Sequence, residues 1–466
     1  MALALVFLLL LLALPGIPRG AFSSDEADYA YAATRGLIAN WIDRPTLNLV
    51  QFVRLGLELG LNNHHHIELS QTIRQAGDIH FYRHWHGPLF FYWLALIRHT
   101  APEERELRIL SLLIPVVGTF VVYFGCLWVM PSSRLIAILA TAFYAAGYSV
   151  VASPELAPHQ LFVVVSLANL FCLSKLEVSR DQKWWWWSCV WAAVSFVTLE
   201  VAFVNIAALL VFAWRCRGVL PCSRQFWLRS LGLSLAVTAV LWPAAIFKVE
   251  PLRSYILYLY LALFRKDAWG NTTLLQAWQY RLNSAPFQWF LVVVAVAIWW
   301  YLPRKSEKYA AFPFLFYGCL MFAVMFRVNA LRPRYVLPFL APLVVFAGVT
   351  LGAALERLRK PTQMAMAGIM ILLVAAGTWR YVHTHLPSAD SRVEQIIFSL
   401  RSQPLDGKRL LAPQTDVPVL HYYFPQVNLV PYLDEQGKQL ALSAGGIDAI
   451  LSDNDEPFRV EYLGHK

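Results

Sequence analysis

SSDEADYAYAATR, from Ser23 to Arg35, sets two adjacent acids, Asp25 and Glu26, between a short apolar N-terminal run and a chain that stays hydrophobic almost to its end. In those surroundings the carboxylates belong at a membrane surface. Behind them Tyr29, Ala32 and Ala33 recur at spacings of three and four, the register of a helix, and acids in a first helical turn are favoured by the helix dipole. Two readings stay open on the residues alone. Either this is an ordinary interfacial helix, with Ser23 or Ser24 as N-cap and Glu26 closing a capping box, or the acids are placed for chemistry.

The rest of the chain fixes the class. Of 466 residues 58% are hydrophobic, 15% charged and 14% aromatic, whereas soluble domains are nearer 45–50% apolar and 25% charged. The apolar excess falls in blocks separated by short clusters of Arg, Lys and Pro, as in a polytopic membrane protein. Spans are expected at 109–130, 135–152, 161–173, 184–197, 202–214, 231–247, 287–302, 310–326, 336–355 and 363–378. The run 3–14 adds one more, read as a retained span with its N-terminus inside; a cleaved signal peptide competes with it. The fold class is therefore mainly α, a polytopic transmembrane helical bundle of about eleven spans over residues 1–378. Residues 20–108 form an outer loop with juxtamembrane helices, and 379–466 a small extracytoplasmic α/β domain.

Charge supports that topology. The net charge of +10 would suit a nucleic-acid binder, but fourteen Lys and Arg residues gather in five alternate short loops, from Arg134 through Lys175, Arg215 and Lys305 to Arg357. That is the positive-inside pattern, and nucleic acid is set aside. The loop 248–285 fits less well, with five basic residues on the outer side. Trp184 to Trp187 read as an interfacial anchor. The six cysteines show neither disulfide nor metal-ligand spacing. In the outer loop, pieces at 26–40, 47–60 and 67–76 are amphipathic, and 88–97, about 15 Å as a helix, lies along the interface rather than crossing it. In the C-terminal domain short strands are expected at 409–412, 427–430 and 449–451, with helices at 391–401 and 417–423.

On this topology one face collects ionisable groups: Asp25, Glu26, His84, His86, Glu155, His159, Glu200, Arg332 and Arg334. Acids and guanidinium groups together at one membrane surface suit a base beside an anionic headgroup. Glu200 reads equally as a turn residue or a buried partner for a nearby Arg. His64 to His66 read as a solvated patch before a metal site. Asn271 to Thr273 form a glycosylation sequon on the outer side.

Taken in order, DEADYAYAA (Asp25 to Ala33), HWHGPLFFYWLAL (His84 to Leu96), Arg108 opening a span, SPELAPHQL (Ser153 to Leu161) and RPRYVLPFLAPL (Arg332 to Leu343) resemble the type-C membrane glycosyltransferases. The branch is that of the dolichyl-phosphate-mannose protein mannosyltransferases and lipid A aminoarabinose transferases. The resemblance implies an inverting transferase that takes a sugar from a polyprenyl phosphate to a glycan, lipid or protein hydroxyl at the outer face. It implies a catalytic carboxylate at Asp25 with Glu26 adjacent, and donor phosphate held by Arg334, Arg332 and His86. Glu155, His159, His84 and Tyr29 are further site candidates. Two departures stand out. Gly87 replaces the first proline of His-Pro-Pro-Leu, and His159 stands where relatives offer an Asp, which leaves use of a divalent metal open. The bacterial inner membrane is favoured over the endoplasmic reticulum. A transporter or flippase is the alternative; the near absence of charge inside the expected spans and of an internal repeat speaks against it.

Overall fold

The computed structural model describes residues 1–34, 86–98, 103–153, 155–243, 245, 255, 272–303, 305–384, 391–413, 416–432, 435–451 and 460–462. His84, the run His64 to His66, Asn271 and the pieces at 47–60 and 67–76 lie outside them. The chain is mainly helical. An apolar helix α1 (Ala2–Ala13) ends at Pro15, and the amphipathic α2 (Ser24–Thr34) and α3 (Leu89–Arg98) follow. Next come α4 (Glu104–Ser111), α5 (Leu113–Val129), α6 (Arg134–Ala145), α7 (Tyr148–Val151), α8 (Pro158–Ser179), α9 (Lys183–Phe196), α10 (Phe203–Arg215) and α11 (Arg224–Leu241). The bundle closes with α12 (Leu274–Ser284), α13 (Pro286–Tyr301), α14 (Lys305–Val324), α15 (Leu337–Leu355) and α16 (Lys360–Thr384).

Each expected span overlaps helical residues, but most of these helices are shorter than a membrane crossing. Among the described residues five are long and apolar enough to cross a membrane: Glu104–Val129, Pro158–Ser179, Lys305–Arg327, Leu337–Leu355 and Lys360–Thr384. The pair α12 and α13, bent by 84°, makes a sixth. Pro286 opens α13, and the residue before a proline is driven out of helical backbone, so Ala285 takes φ −140° and the chain turns. The stretch 135–152 is not one helix either. It breaks at Gly147, whose packing leaves no room for a Cβ: one built there would lie 2.9 Å from the Phe143 carbonyl oxygen.

α15 is the axis of the bundle, buried on nearly every side and packed on α6, α8, α13 and α14. Small residues permit this. A Cβ on Gly348 would sit 2.3 Å from Ala140 Cα, so the two backbones touch, the usual device of helices packed in lipid. One polar cluster inside the bundle is paired across helices: Asn169 with Asn205 at 2.9 Å, and Asn205 and Tyr317 with Ser166. The outer faces of α11, α13 and α16 expose Leu235, Val240, Phe290, Val293, Ile369 and Leu372, a surface suited to hydrocarbon.

After α16 come α17 (Ser391–Arg401), β1 (Arg409–Pro413), α18 (Val417–Tyr423), β2 (Asn428–Tyr432), α19 (Glu435–Ser443), β3 (Ala449–Leu451) and β4 (Val460–Tyr462). The sheet order is β2-β1-β3-β4, parallel except for the β3–β4 pair. α19 and β4 were not anticipated from sequence. This unit rests on α2 through α18: the Tyr423 hydroxyl accepts the Phe22 N–H at 2.8 Å and donates to Glu104 at 3.0 Å, and His421 stacks on Tyr31.

Candidate active site

Five segments distant in sequence bring charged side chains to one place. The first turn of α2 supplies Asp25, and the turn Pro333–Tyr335 ahead of α15 supplies Arg334, with Arg332 beside it. The link between α7 and α8 supplies Glu155, the residues before α3 supply His86, and the turn Glu200–Ala202 ahead of α10 supplies Glu200. Arg334 donates to Asp25 through Nη2 and to Glu155 through Nη1 at 3.4 Å. Arg332 reaches Asp25 at 3.4 Å and Glu155 at 4.0 Å. Two carboxylates thus share two guanidinium groups. The quartet is open on one side: the Asp25 and Arg332 side chains are 42% exposed, that of Arg334 5%.

The electrostatics follow. Surrounding protein would raise the Asp25 carboxyl, but the charge and hydrogen bond of Arg334, with Arg332 behind, outweigh this and bring it down to about 2. Burial, reinforced by the Asp25 charge, pushes the Tyr29 phenol well above its ordinary value, so it stays protonated. Burial works against the Arg334 cation, yet Tyr335, Asp25 and Glu155 together hold it firmly charged.

Glu26 has a different place from its neighbour. Successive helical residues point about 100° apart, and Glu26 turns inward, 2% exposed, onto Arg108, itself 1% exposed. The pair is bidentate, at 2.8 and 2.7 Å. Glu26 also accepts the Leu156 and Ser23 N–H groups, and Arg108 donates to the carbonyls of Pro18, Gly20 and Ala21. Only half of the expected capping box forms, because the Ser23 hydroxyl makes no reciprocal bond. The sequence reading put Glu26 beside Asp25 in the chemistry; the structure puts it in a buried clamp that ties α2, α4 and the loop bearing Glu155.

Of the other candidates, Tyr29 and His86 meet at 2.8 Å, hydroxyl to Nε2, and His86 Nδ1 donates to Glu200 at 2.7 Å. Both nitrogens of His86 are therefore engaged within the protein in this conformation, and neither is free for the phosphate role read from sequence. His159 is buried, edge-on to the Tyr335 ring at 5.5 Å and to His86 at 6.3 Å, with Nδ1 unpaired. Sequence reasoning marked Arg108 as opening a span but did not pair it with Glu26, which lies 82 residues away. It missed Glu200 as the partner of His86 because the two lie 114 residues apart. Among the described residues no three His, Cys, Asp or Glu side chains converge to hold a metal ion.

The helical membrane bundle with amphipathic helices ahead of it and an α/β unit behind is a fold shared with a solved membrane protein. The chain is similar to ArnT from Cupriavidus metallidurans. In the apo state that protein matches with a TM-score of 0.60 and 12% identity over 96% of this chain and 88% of that one. Its complex with undecaprenyl phosphate matches at 0.58 and 13% over 95% and 88%. No family model and no curated protein sequence matches the chain.

Proposed function

We propose that the protein is an inverting glycosyltransferase that moves a sugar from a polyprenyl-phosphate donor to a hydroxyl of a cell-envelope glycan, lipid or protein. The observation that carries this reading is the contact of Asp25 with Arg334 and Arg332 at an open edge of the bundle. The neighbouring ArnT structure that holds undecaprenyl phosphate supports the class of donor.

The chemistry follows from charge. Phosphate is already a good leaving group, so no second carboxyl is needed as an acid, in contrast to a glycosidase. Asp25 accepts the proton of the attacking hydroxyl while that oxygen displaces phosphate from the opposite face of the anomeric carbon. The donor is a phosphodiester with one negative charge; the product is a monoester that gains a second. In the same step Asp25 is neutralised. Negative charge therefore passes from the carboxylate to the phosphate, and Arg334 and Arg332, already beside the carboxylate, balance it in both positions. Glu155 keeps Arg334 aligned throughout.

A divalent metal has no evident part in this scheme. The carboxylates that would ligate it, Asp25 and Glu155, already face guanidinium groups, whose charge repels a dication. On our reading the eleven expected spans of 1–378 all belong to the membrane domain, the short ones completing the bundle beside the five to six long ones. The basic loops face the cytoplasm of a bacterial inner membrane, and the Asp25 cluster and residues 379–466 lie outside. The test is reconstitution with polyprenyl-phosphate sugars, combined with mass spectrometry of envelope glycans and glycoproteins from cells with and without the gene. Absence of any transferred sugar in both would overturn the assignment.

A further inference from the structure

The chain Glu200–His86–Tyr29 is built more tightly than the phosphate-facing cluster, and nothing in the scheme above uses it. Glu200 is 5% exposed and Tyr29 7%. A carboxylate can only accept, so the 2.7 Å contact places the proton on His86 Nδ1. In the neutral imidazole Nε2 is then the acceptor, and the Tyr29 hydroxyl is the donor across 2.8 Å. The direction of the whole chain is set at the Glu200 end.

The backbone holds both ends in register. Leu89 N–H donates to the Val197 carbonyl at 3.1 Å, and a Cβ on Gly87 would fall 2.2 Å from that same carbonyl oxygen. The segment bearing His86 therefore lies flush on the turn bearing Glu200. Glycine at position 87, the departure noted in the sequence, is what permits this approach; proline there would collide with it. Tyr29 is one helical turn beyond Asp25, on the same face of α2, and its ring is fixed edge-on by Phe90 and Phe91.

We propose that Glu200 is a positioning residue of the transfer site: by fixing the His86 tautomer it commits the Tyr29 proton to His86, so that the Tyr29 oxygen accepts a hydroxyl of a sugar-type substrate beside Asp25. The proposal rests on the transferase reading and adds to it a subsite for a hydroxyl, separate from the phosphate-binding arginines. Replacing Glu200 by glutamine keeps the shape but lets the amide either accept from or donate to the imidazole, so the tautomer is no longer set. Tyr29 can then turn its proton toward the substrate.

The experiment compares the wild type, E200Q, Y29F and E200Q/Y29F, with E200D as the variant that retains the carboxylate. It measures kcat/KM for the acceptor, and separately the binding of sugar-free polyprenyl phosphate. We expect E200Q and Y29F each to lower kcat/KM by about five- to tenfold, the double variant to be no worse than Y29F, E200D to recover part of the loss, and the affinity for polyprenyl phosphate to be unchanged. Additive losses, an unaffected E200Q, or a changed affinity for polyprenyl phosphate would each overturn the proposal while leaving the transferase assignment intact. A folded wild type that transfers no sugar overturns the assignment and this subsite with it.

Discussion

Replacing Asp25 by asparagine separates the carboxylate's chemistry from its structural part. The amide oxygen can still accept from Arg334 and Arg332, and Glu155 keeps its contacts to them at 3.4 and 4.0 Å, so the cluster retains its shape. What disappears is the ability to take a proton. A positioned general base contributes about 10²- to 10⁴-fold, equivalent to about 3–5 kcal/mol of barrier, and turnover of D25N should fall by that factor. Binding of polyprenyl phosphate should move the other way, because a competing anion has left the guanidinium groups. The Asp25 side chain is 42% exposed, so the gain is discounted for screening to about 1 kcal/mol or less, at most about fivefold tighter. The assay pairs sugar transfer in reconstituted membranes with direct binding of polyprenyl phosphate. Turnover within about threefold of wild type removes Asp25 as the base. Loss of phosphate binding in parallel with turnover makes Asp25 a support for Arg334 instead.

Arg334→Lys keeps one positive charge but loses the planar fork that faces Asp25 and Glu155 together, and should raise the KM for donor by about tenfold with a smaller change in kcat; an unchanged KM would count against the phosphate role. Breaking the buried Glu26–Arg108 clamp with Glu26→Ala should destabilise the protein by about 3–5 kcal/mol, read as a lower melting temperature and yield. A Glu26→Ala protein that melts like wild type yet is inactive would return Glu26 to the chemistry. The pH profile has a definite sign. Since Asp25 is depressed to about 2, its ion pairing supports the folded state fully above the ordinary carboxyl value of about 3.9 and is lost as pH falls through about 2. The kcat/KM of the free enzyme should accordingly show no acid limb near pH 4, and a limb there that disappears in D25N would contradict the pairing.

The bundle was legible because lipid demands a gross signal: long apolar blocks and basic loops, both visible residue by residue. Lengths were less so. The stretch read as a span at 161–173 became the 22-residue α8, since Pro158 opens it and its buried Ser166 and Asn169 bond to Asn205 on another helix. Conversely, 135–152 looked continuous and was divided at Gly147. The two elements missed in the C-terminal unit, α19 and β4, are nine and three residues long, where packing rather than pattern decides.

The site was legible as residue types and obscure as partnerships. The sequence marks Asp25 and Arg334 as candidates only by their chemistry; that they touch across 309 residues is a property of α15 carrying the Arg332 to Tyr335 turn back over α2. The adjacent acids show where the limit lies. Asp25 and Glu26 have equal charge and similar propensity, and one step of helix rotation gives one of them a pair of arginines at the open edge of the site and the other a buried Arg108 braced by three carbonyls. The second environment also sets the first: Glu26 accepts the Leu156 N–H, one residue beyond Glu155, so the clamp that buries one acid fixes the segment whose carboxylate aligns Arg334 for the other. A substitution at Arg108 should therefore displace Glu155 and loosen the Arg334 contact to Asp25, although Arg108 itself bonds to neither of them.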